Sequence, residues 1–201
     1  MTGLRERKKQ QTREAIIRAA FRLFRKRGFE ATTIVEIAEA ADISPRTFFA
    51  YFDSKEAVVF HDFDEVREGF AAHLQRREPG ETTFDALRAW VNDWVQSRVI
   101  EKRDEVARRE LIQATPALRA HDDANHGVFE RLVAENVAAD LGVPRDSLRP
   151  RMVAAAAVAA LSSLRDVEPA EVPEDPMAVL DEAIAFLQGG LGALRKKRAR
   201  R

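Results

Sequence analysis

Apolar residues recur along this chain at steps of three and four, with little strict alternation, and the glycines and prolines fall between the periodic runs. The pattern predicts an all-α protein of about nine helices. Ile16, Ile17, Ala20, Leu23 and Phe24 line one face of a first helix whose other face is arginine, and Gly28 with Phe29 behind it is a glycine stop. Thr33 and Glu36 have the spacing of a capping box and open a second helix of about two turns. Asp42-Ile43 interrupts it. Ser44-Pro45, a capping serine and a proline at the first helical position, opens an equally short third helix ending near Ala50. Helices this short bury no face alone, so the first helix is expected to be their platform, with Phe48 and Phe52 in the core beside Ile37 and Leu23.

A fourth helix is expected from Ser54, with Val59, Phe63, Val66, Phe70 and Leu74 as one long stripe that ends before Glu78-Pro79-Gly80. The domain boundary is placed along it: residues 1–55 as an N-terminal three-helix domain, residues 56–201 as a C-terminal helical domain. Phe84, Leu87, Trp90, Val91 and Trp94 mark a fifth helix capped by Thr82 or Thr83, and a sixth covers about Asp104 to Ala114. Thr115-Pro116 restarts the chain, and Phe129, Leu132, Val133, Val137 and Leu141 carry a seventh helix up to Gly142 and Pro144. Residues 147–165 are an alanine-rich eighth. Pro169, Pro173 and Pro176 define a loop, with Asp175 capping the last helix. There Met177, Leu180, Ile184, Leu187, Leu191 and Leu194 form a seam that asks for a partner helix. The alanines of the eighth helix, and Gly189-Gly190, allow close approach. Together the two helices predict half of a four-helix homodimer interface; the competing reading packs both stripes inside the protomer.

Composition narrows the chemistry. The 201 residues contain no cysteine, which excludes disulfides, a thiol nucleophile, a Cys-ligated zinc and an iron–sulfur centre. No apolar run is long enough to span a bilayer, and the first nine residues are too polar for a secretory leader, so a soluble cytoplasmic protein is expected. The formal net charge is zero, but unevenly placed: residues 1–27 hold ten basic side chains against two acidic, and residues 195–201 hold six basic and no acidic ones. A basic end on an acidic body suits contact with a polyanion. Charge alone more often means a solvated helix, so a motif must support it.

The motif is the pair of short helices joined by a tight turn, a helix-turn-helix. Its second helix must carry polar residues in its first turn to reach base edges in the major groove. Arg46 and Thr47 stand there. Arginine reads guanine O6 and N7 with two bonds, and a threonine methyl packs on thymine. The stretch Thr32 to Glu56, with its Ser44-Pro45-Arg46-Thr47-Phe48-Phe49-Ala50-Tyr51-Phe52-Asp53-Ser54-Lys55-Glu56 core, resembles the N-terminal domain of TetR-family transcriptional regulators, over about Thr12 to Phe60. The resemblance implies a phosphate contact at Thr33, base reading at Arg46 and Thr47, and Ser44 and Pro45 at the duplex surface. It implies phosphate contacts from Tyr51 and from Lys55. Phe49 stands where the family usually has a tyrosine, so only apolar contact remains to it. Asp42 replaces the usual glycine of the turn and must accept a left-handed backbone. Thr33 and Ser44 are caps with or without DNA, and Tyr51 also reads as a plain surface tyrosine. The fold has least need of Arg46.

The resemblance further implies a transcriptional regulator, most simply a repressor, that binds a near-palindromic double-stranded DNA operator as a homodimer and is released by a small hydrophobic effector. Phe63, Val66, Phe70, Trp90, Trp94 and Phe129 are the candidate ligand-binding residues, although aromatics at this spacing are also ordinary core. The Thr-Phe-Phe-Ala-Tyr-Phe stretch is similar to a subgroup that senses acyl-CoA-like ligands. The basic N-terminal arm is a candidate for the minor groove, and the tail 195–201 is expected to be disordered or flexible. An enzyme is not expected: no phosphate loop, nucleophile elbow or cofactor motif is present. His121-Asp122-Asp123-Ala124-Asn125-His126 lacks a third ligand on one face and reads as a solvated helix end rather than a metal site. A helical protein-binding adaptor without DNA binding is the alternative. It leaves Arg46, Lys55 and the N-terminal charge unexplained.

Overall fold

The structure, a computed structural model, describes residues 2–97, 102–165 and 175–199. Among these there are ten helices and no strand. The chain divides into two compact units, Met1–Asp64 with Arg103–Asp122, and Glu65–Lys102 with Asp123–Arg201. The first therefore takes in more of the chain than residues 1–55.

The first unit is built on α1 (Thr2–Arg27), α2 (Ile34–Ala40), α3 (Pro45–Phe49) and α4 (Lys55–Val59), with most of α7 (Lys102–Ala114) and the start of α8 (Pro116–Leu141). Ile16, Ala20, Leu23 and Phe24 of α1 face Ile37 and Ala38 of α2, Phe48, Phe52, and Val58 and Val59 of α4; Ile112 and Leu118 close the same core. Gly28 ends α1 at φ 84°, its N–H donating to the Phe24 carbonyl at 2.8 Å. Asp42 takes φ 56° in the turn, which lets the N–H of Ile43 reach the Ala38 carbonyl at 3.0 Å and close α2.

The single long fourth helix expected from Ser54 is not formed. It breaks at Phe60, and α5 (Phe63–Gln75) begins three residues later. Other elements of the unit hold the break open. Arg13 donates to the His61 carbonyl, Arg108 pairs with Asp62 at 2.7 Å, and His121 stacks on Phe60 with ring centroids 4.5 Å apart. Arg108 is mostly buried. Its burial alone would lower its pKa, and the two carboxylates of Asp62 and Glu105 reverse that and raise it. His121 to His126 lie within α8 rather than at a helix end, because α8 runs unbroken from Pro116 to Leu141.

The second unit holds most of α5, α6 (Thr83–Ser97), the rest of α8, α9 (Leu148–Arg165) and α10 (Pro176–Ala199). Phe70, Leu74, Phe84, Leu87, Val133, Val137, Ala154, Ala157, Leu180 and Ile184 form its core. Thr82 caps α6 by exchanging bonds with Asp85. Burial pushes the Asp85 carboxyl up, and the bonds from Thr82 and Gln188 outweigh that and lower it. Thr83 is buried instead: its N–H and hydroxyl both donate to Asp140 at 2.7 Å, and Asp140 also pairs with Arg77 at 2.6 Å. Arg88 of α6 clasps Asp181 of α10 with two bonds of 2.5 and 2.7 Å.

One expectation about α10 changes. The seam at Leu180 and Ile184 is buried within the protomer, and Met177 and Leu187 pack against the same core. The side chains of Leu191 and Leu194 lie outside the described residues. The seam finds its partners on α6 and α9 of its own chain. The helix α10 continues into the basic tail as far as Ala199. Leucine, alanine, lysine and arginine all favour helix, and cations at a C-terminus suit the helix dipole. Arg200 and Arg201 lie outside the described residues, as does the loop that holds Pro169 and Pro173.

Candidate nucleic-acid interface

The local chemistry that shapes the recognition segment also decides what it exposes. Thr33 caps α2 from an extended backbone. Its hydroxyl accepts from the Glu36 N–H at 3.3 Å, and its own N–H donates to the Glu36 carboxylate at 2.9 Å. The Thr33 hydroxyl also donates to that carboxylate at 3.0 Å, and these two donors, with Arg27 beside them, hold the Glu36 carboxyl below the ordinary carboxylate range. The hydroxyl and N–H that the resemblance assigns to phosphate are thus both engaged with Glu36 here. Arg22 donates to the Ala40 carbonyl at the other end of α2.

Ser44 caps α3, its hydroxyl accepting from the Thr47 N–H at 3.0 Å and lying 2.8 Å from the Thr47 hydroxyl. Phe48 is fully buried and pins α3 to the core. With that side chain fixed, the helical twist turns Ser44, Pro45, Arg46 and Phe49 outward. Phe49 is 54% exposed, far more than a large apolar side chain warrants unless something covers it. Arg46 makes no hydrogen bond or ion pair among the described residues. Thr47 is half-buried, and Tyr51 lies with its ring against the core. Sequence reasoning missed Val35, which is 51% exposed in the first turn of α2. The signal was there: the buried face of α2 is complete with Ile34, Ile37, Ala38 and Ala41, so Val35 falls off it.

Lys55, to which the resemblance gives a phosphate contact, is engaged within its own unit. Its ammonium donates to the carbonyls of Phe29 at 2.8 Å, Thr32 at 3.1 Å and Glu30 at 3.4 Å, and sits 4.3 Å from the centre of the Phe29 ring. An ammonium has three protons, and all three are spent on the turn between α1 and α2. A phosphate contact presupposed a free charge. Lys55→Met is expected to weaken the unit by about 1.5–3 kcal/mol, the worth of charged hydrogen bonds. It should leave the salt dependence of DNA binding unchanged, as titrations of variant and wild type at several salt concentrations would reveal. A flattened slope would restore the phosphate role.

The candidate effector residues divide between the units. Phe63 belongs to the first and Val66 is half-buried in the second. Phe70, Trp90 and Phe129 come together in the second unit, with ring centroids 5.0, 5.6 and 6.5 Å apart. Phe70 is buried, while Trp90 and Phe129 pack on the core from its edge. The Trp94 side chain lies outside the described residues. No group of three metal-ligating side chains is gathered among the described residues, and no described helix is long and apolar enough to cross a membrane.

Comparison with known proteins gives this geometry a family. Residues 16–61 match the family model of bacterial regulatory proteins of the tetR family, and residues 81–192 match that of the MftR C-terminal domain. The chain is 37% identical to the HTH-type transcriptional regulator TcmR of Streptomyces glaucescens over 164 residues, 76% of this chain and 71% of TcmR. It is 30% identical to MftR of Mycobacterium tuberculosis over 151 residues, 74% of this chain and 75% of that one. Among solved structures it is similar to Thermus thermophilus FadR, a transcriptional repressor determined in complex with lauroyl-CoA. The TM-score is 0.56 at 26% identity, covering 88% of this chain and 93% of that one. Proteins of this kind are DNA-binding transcription factors rather than enzymes, and on these matches the chain belongs to the TetR family of transcriptional regulators.

Proposed function

We propose that the chain is a homodimeric repressor. It binds a near-palindromic operator in cytoplasmic double-stranded DNA and is released by a small hydrophobic effector. The observation that carries this reading is the first turn of α3: Phe48 anchors it, while Arg46 stands exposed without a partner among the described residues. A protein-binding adaptor does not require that arginine to stand in the first turn of the second helix of a helix-turn-helix. A base reader does.

A two-fold operator calls for a two-fold protein. Since the α10 seam is occupied within the protomer, we place the partner copy on the neighbouring faces of α9 and α10. Leu148 and Met152 of α9 are 67% and 64% exposed, and Phe186 and Val179 of α10 are 82% and 37% exposed. A side chain added at Gly189 would meet nothing within 4 Å in the protomer, which suits close approach of a second helix.

For the effector we propose the surroundings of Phe70, Trp90 and Phe129, whose rings suit an acyl chain. The lauroyl-CoA bound by the similar FadR supports that class. Control then follows from linkage. An effector that prefers a conformer poorly spaced for the operator lowers DNA affinity by the ratio of its affinities for the two conformers. Both α5 and α8 carry residues of each unit, so each is a covalent route for that change.

Selection of bound sequences from random duplex DNA tests the reading, and a two-fold consensus is expected. Arg46→Ala is expected to lose about 1–3 kcal/mol of discrimination at one base pair per half-site, read by competition between consensus and singly changed duplexes. Failure to enrich any sequence, with binding to a protein instead, would favour the adaptor.

A further inference from the structure

The N-terminal arm is not the extended strand that a narrow groove would admit. It is a continuation of α1, helical from Thr2, and residues 3–11 are exposed throughout. Arg5 lies eleven positions before Ile16, the first fully buried residue of the stripe, which is roughly 16 Å along a helix axis. Stepping back from Ile16 on the same face, by threes and fours, reaches Thr12, then Lys9 and Lys8, then Arg5. The face that packs on the DNA-binding unit thus turns from apolar to cationic at the point where it runs past the unit's edge.

The side chains of Arg5, Lys8 and Lys9 make no hydrogen bond or ion pair among the described residues. Glu14, the nearest acid with a partner, is occupied by Gln10 and Arg18 away from that face. Cations near a helix N-terminus oppose the helix dipole, and α1 has no acidic residue in its first turn. The helix is worse for carrying them, so their use lies outside the protomer.

We infer that the overhanging turns of α1 bind the phosphate backbone of duplex DNA flanking the bases read by α3, and so add affinity that is independent of sequence. A helix about 10–12 Å across does not enter a minor groove about 6 Å wide, so the contact is with the phosphate ridge. The inference rests on the DNA-binding reading above, and the test separates the two.

Binding of a random-sequence duplex is measured by anisotropy at several salt concentrations for three proteins: wild type, the triple variant R5Q/K8Q/K9Q, and R7Q/R18Q/R25Q. The last removes the same charge from the opposite face of the same helix. Each phosphate contact contributes about 0.9 to the slope of log affinity against log salt. The first variant should therefore lose about 2–3 from the slope, while the second stays near wild type. Circular dichroism checks that both keep their helix. A wild-type slope in R5Q/K8Q/K9Q, or equal losses in both variants, overturns the inference and leaves the recognition helix untouched. If the wild type itself binds no duplex, the DNA-binding reading has failed instead.

Discussion

Phe48→Ala is expected to destabilise the DNA-binding unit strongly, whereas Phe49→Ala leaves its stability intact and weakens its hold on DNA. The two residues are neighbours in sequence and identical in chemistry, with ring centroids 5.6 Å apart. Phe48 is fully buried and Phe49 is 54% exposed. Removing a buried phenylalanine costs about 3–5 kcal/mol, through lost transfer energy and the cavity left behind. Whole domains are stable by about 5–15 kcal/mol. The cost falls on a five-residue helix with no independent stability, held by its Ser44 cap and by Phe48. Thermal melts should show a large fall for Phe48→Ala and almost none for Phe49→Ala, with DNA affinity reduced in the latter. Equal melting temperatures would mean that something other than Phe48 holds α3.

The second large effect is expected in assembly. Met152→Asp with Phe186→Asp should give a folded monomer that no longer grips an operator. Neither native side chain is needed inside the protomer, being 64% and 82% exposed. In a two-fold interface each change acts twice. Central interface residues are worth about 2 kcal/mol or more apiece when lost. Even one such residue per copy weakens the dimer by about 4 kcal/mol, roughly a thousandfold. Sedimentation velocity reads the outcome directly. If the double variant remains dimeric, the partner copy sits elsewhere. Leu180→Ala, by contrast, should lower stability without changing the oligomeric state, because Leu180 is buried within its own chain.

The helix-turn-helix was legible because everything that makes it is local. Thr33 to Glu36, Ser44 to Thr47 and Ser54 to Ala57 are caps spanning three positions, and Asp42 needed only a backbone it tolerates. The bounds of the short helices could therefore be read from the sequence, and Arg46 stands out because no stripe or cap claims it. The bonds of Lys55 were not legible for the opposite reason: the three carbonyls it serves lie 23 to 26 positions earlier, and nothing in the pattern announces them. The break after Val59 escaped notice in the same way. The apolar stripe from Val59 to Leu74 runs across it, no glycine or proline stands between Val59 and Phe63, and the groups that hold it, Arg13, Arg108 and His121, come from three other helices.

By itself the sequence determined that the chain is helical, where most helices begin and end, and where the helix-turn-helix lies. Caps, helical spacing and turn residues act over a few positions and are written out in order. Only the tertiary structure decided which neighbour each apolar stripe meets. The α10 seam could have joined two copies, yet it fills the core beneath α6 and α9 and leaves Phe186 outside. A stripe records that a face is buried; what it is buried against depends on chain segments far away, because hydrophobic attraction has no direction of its own.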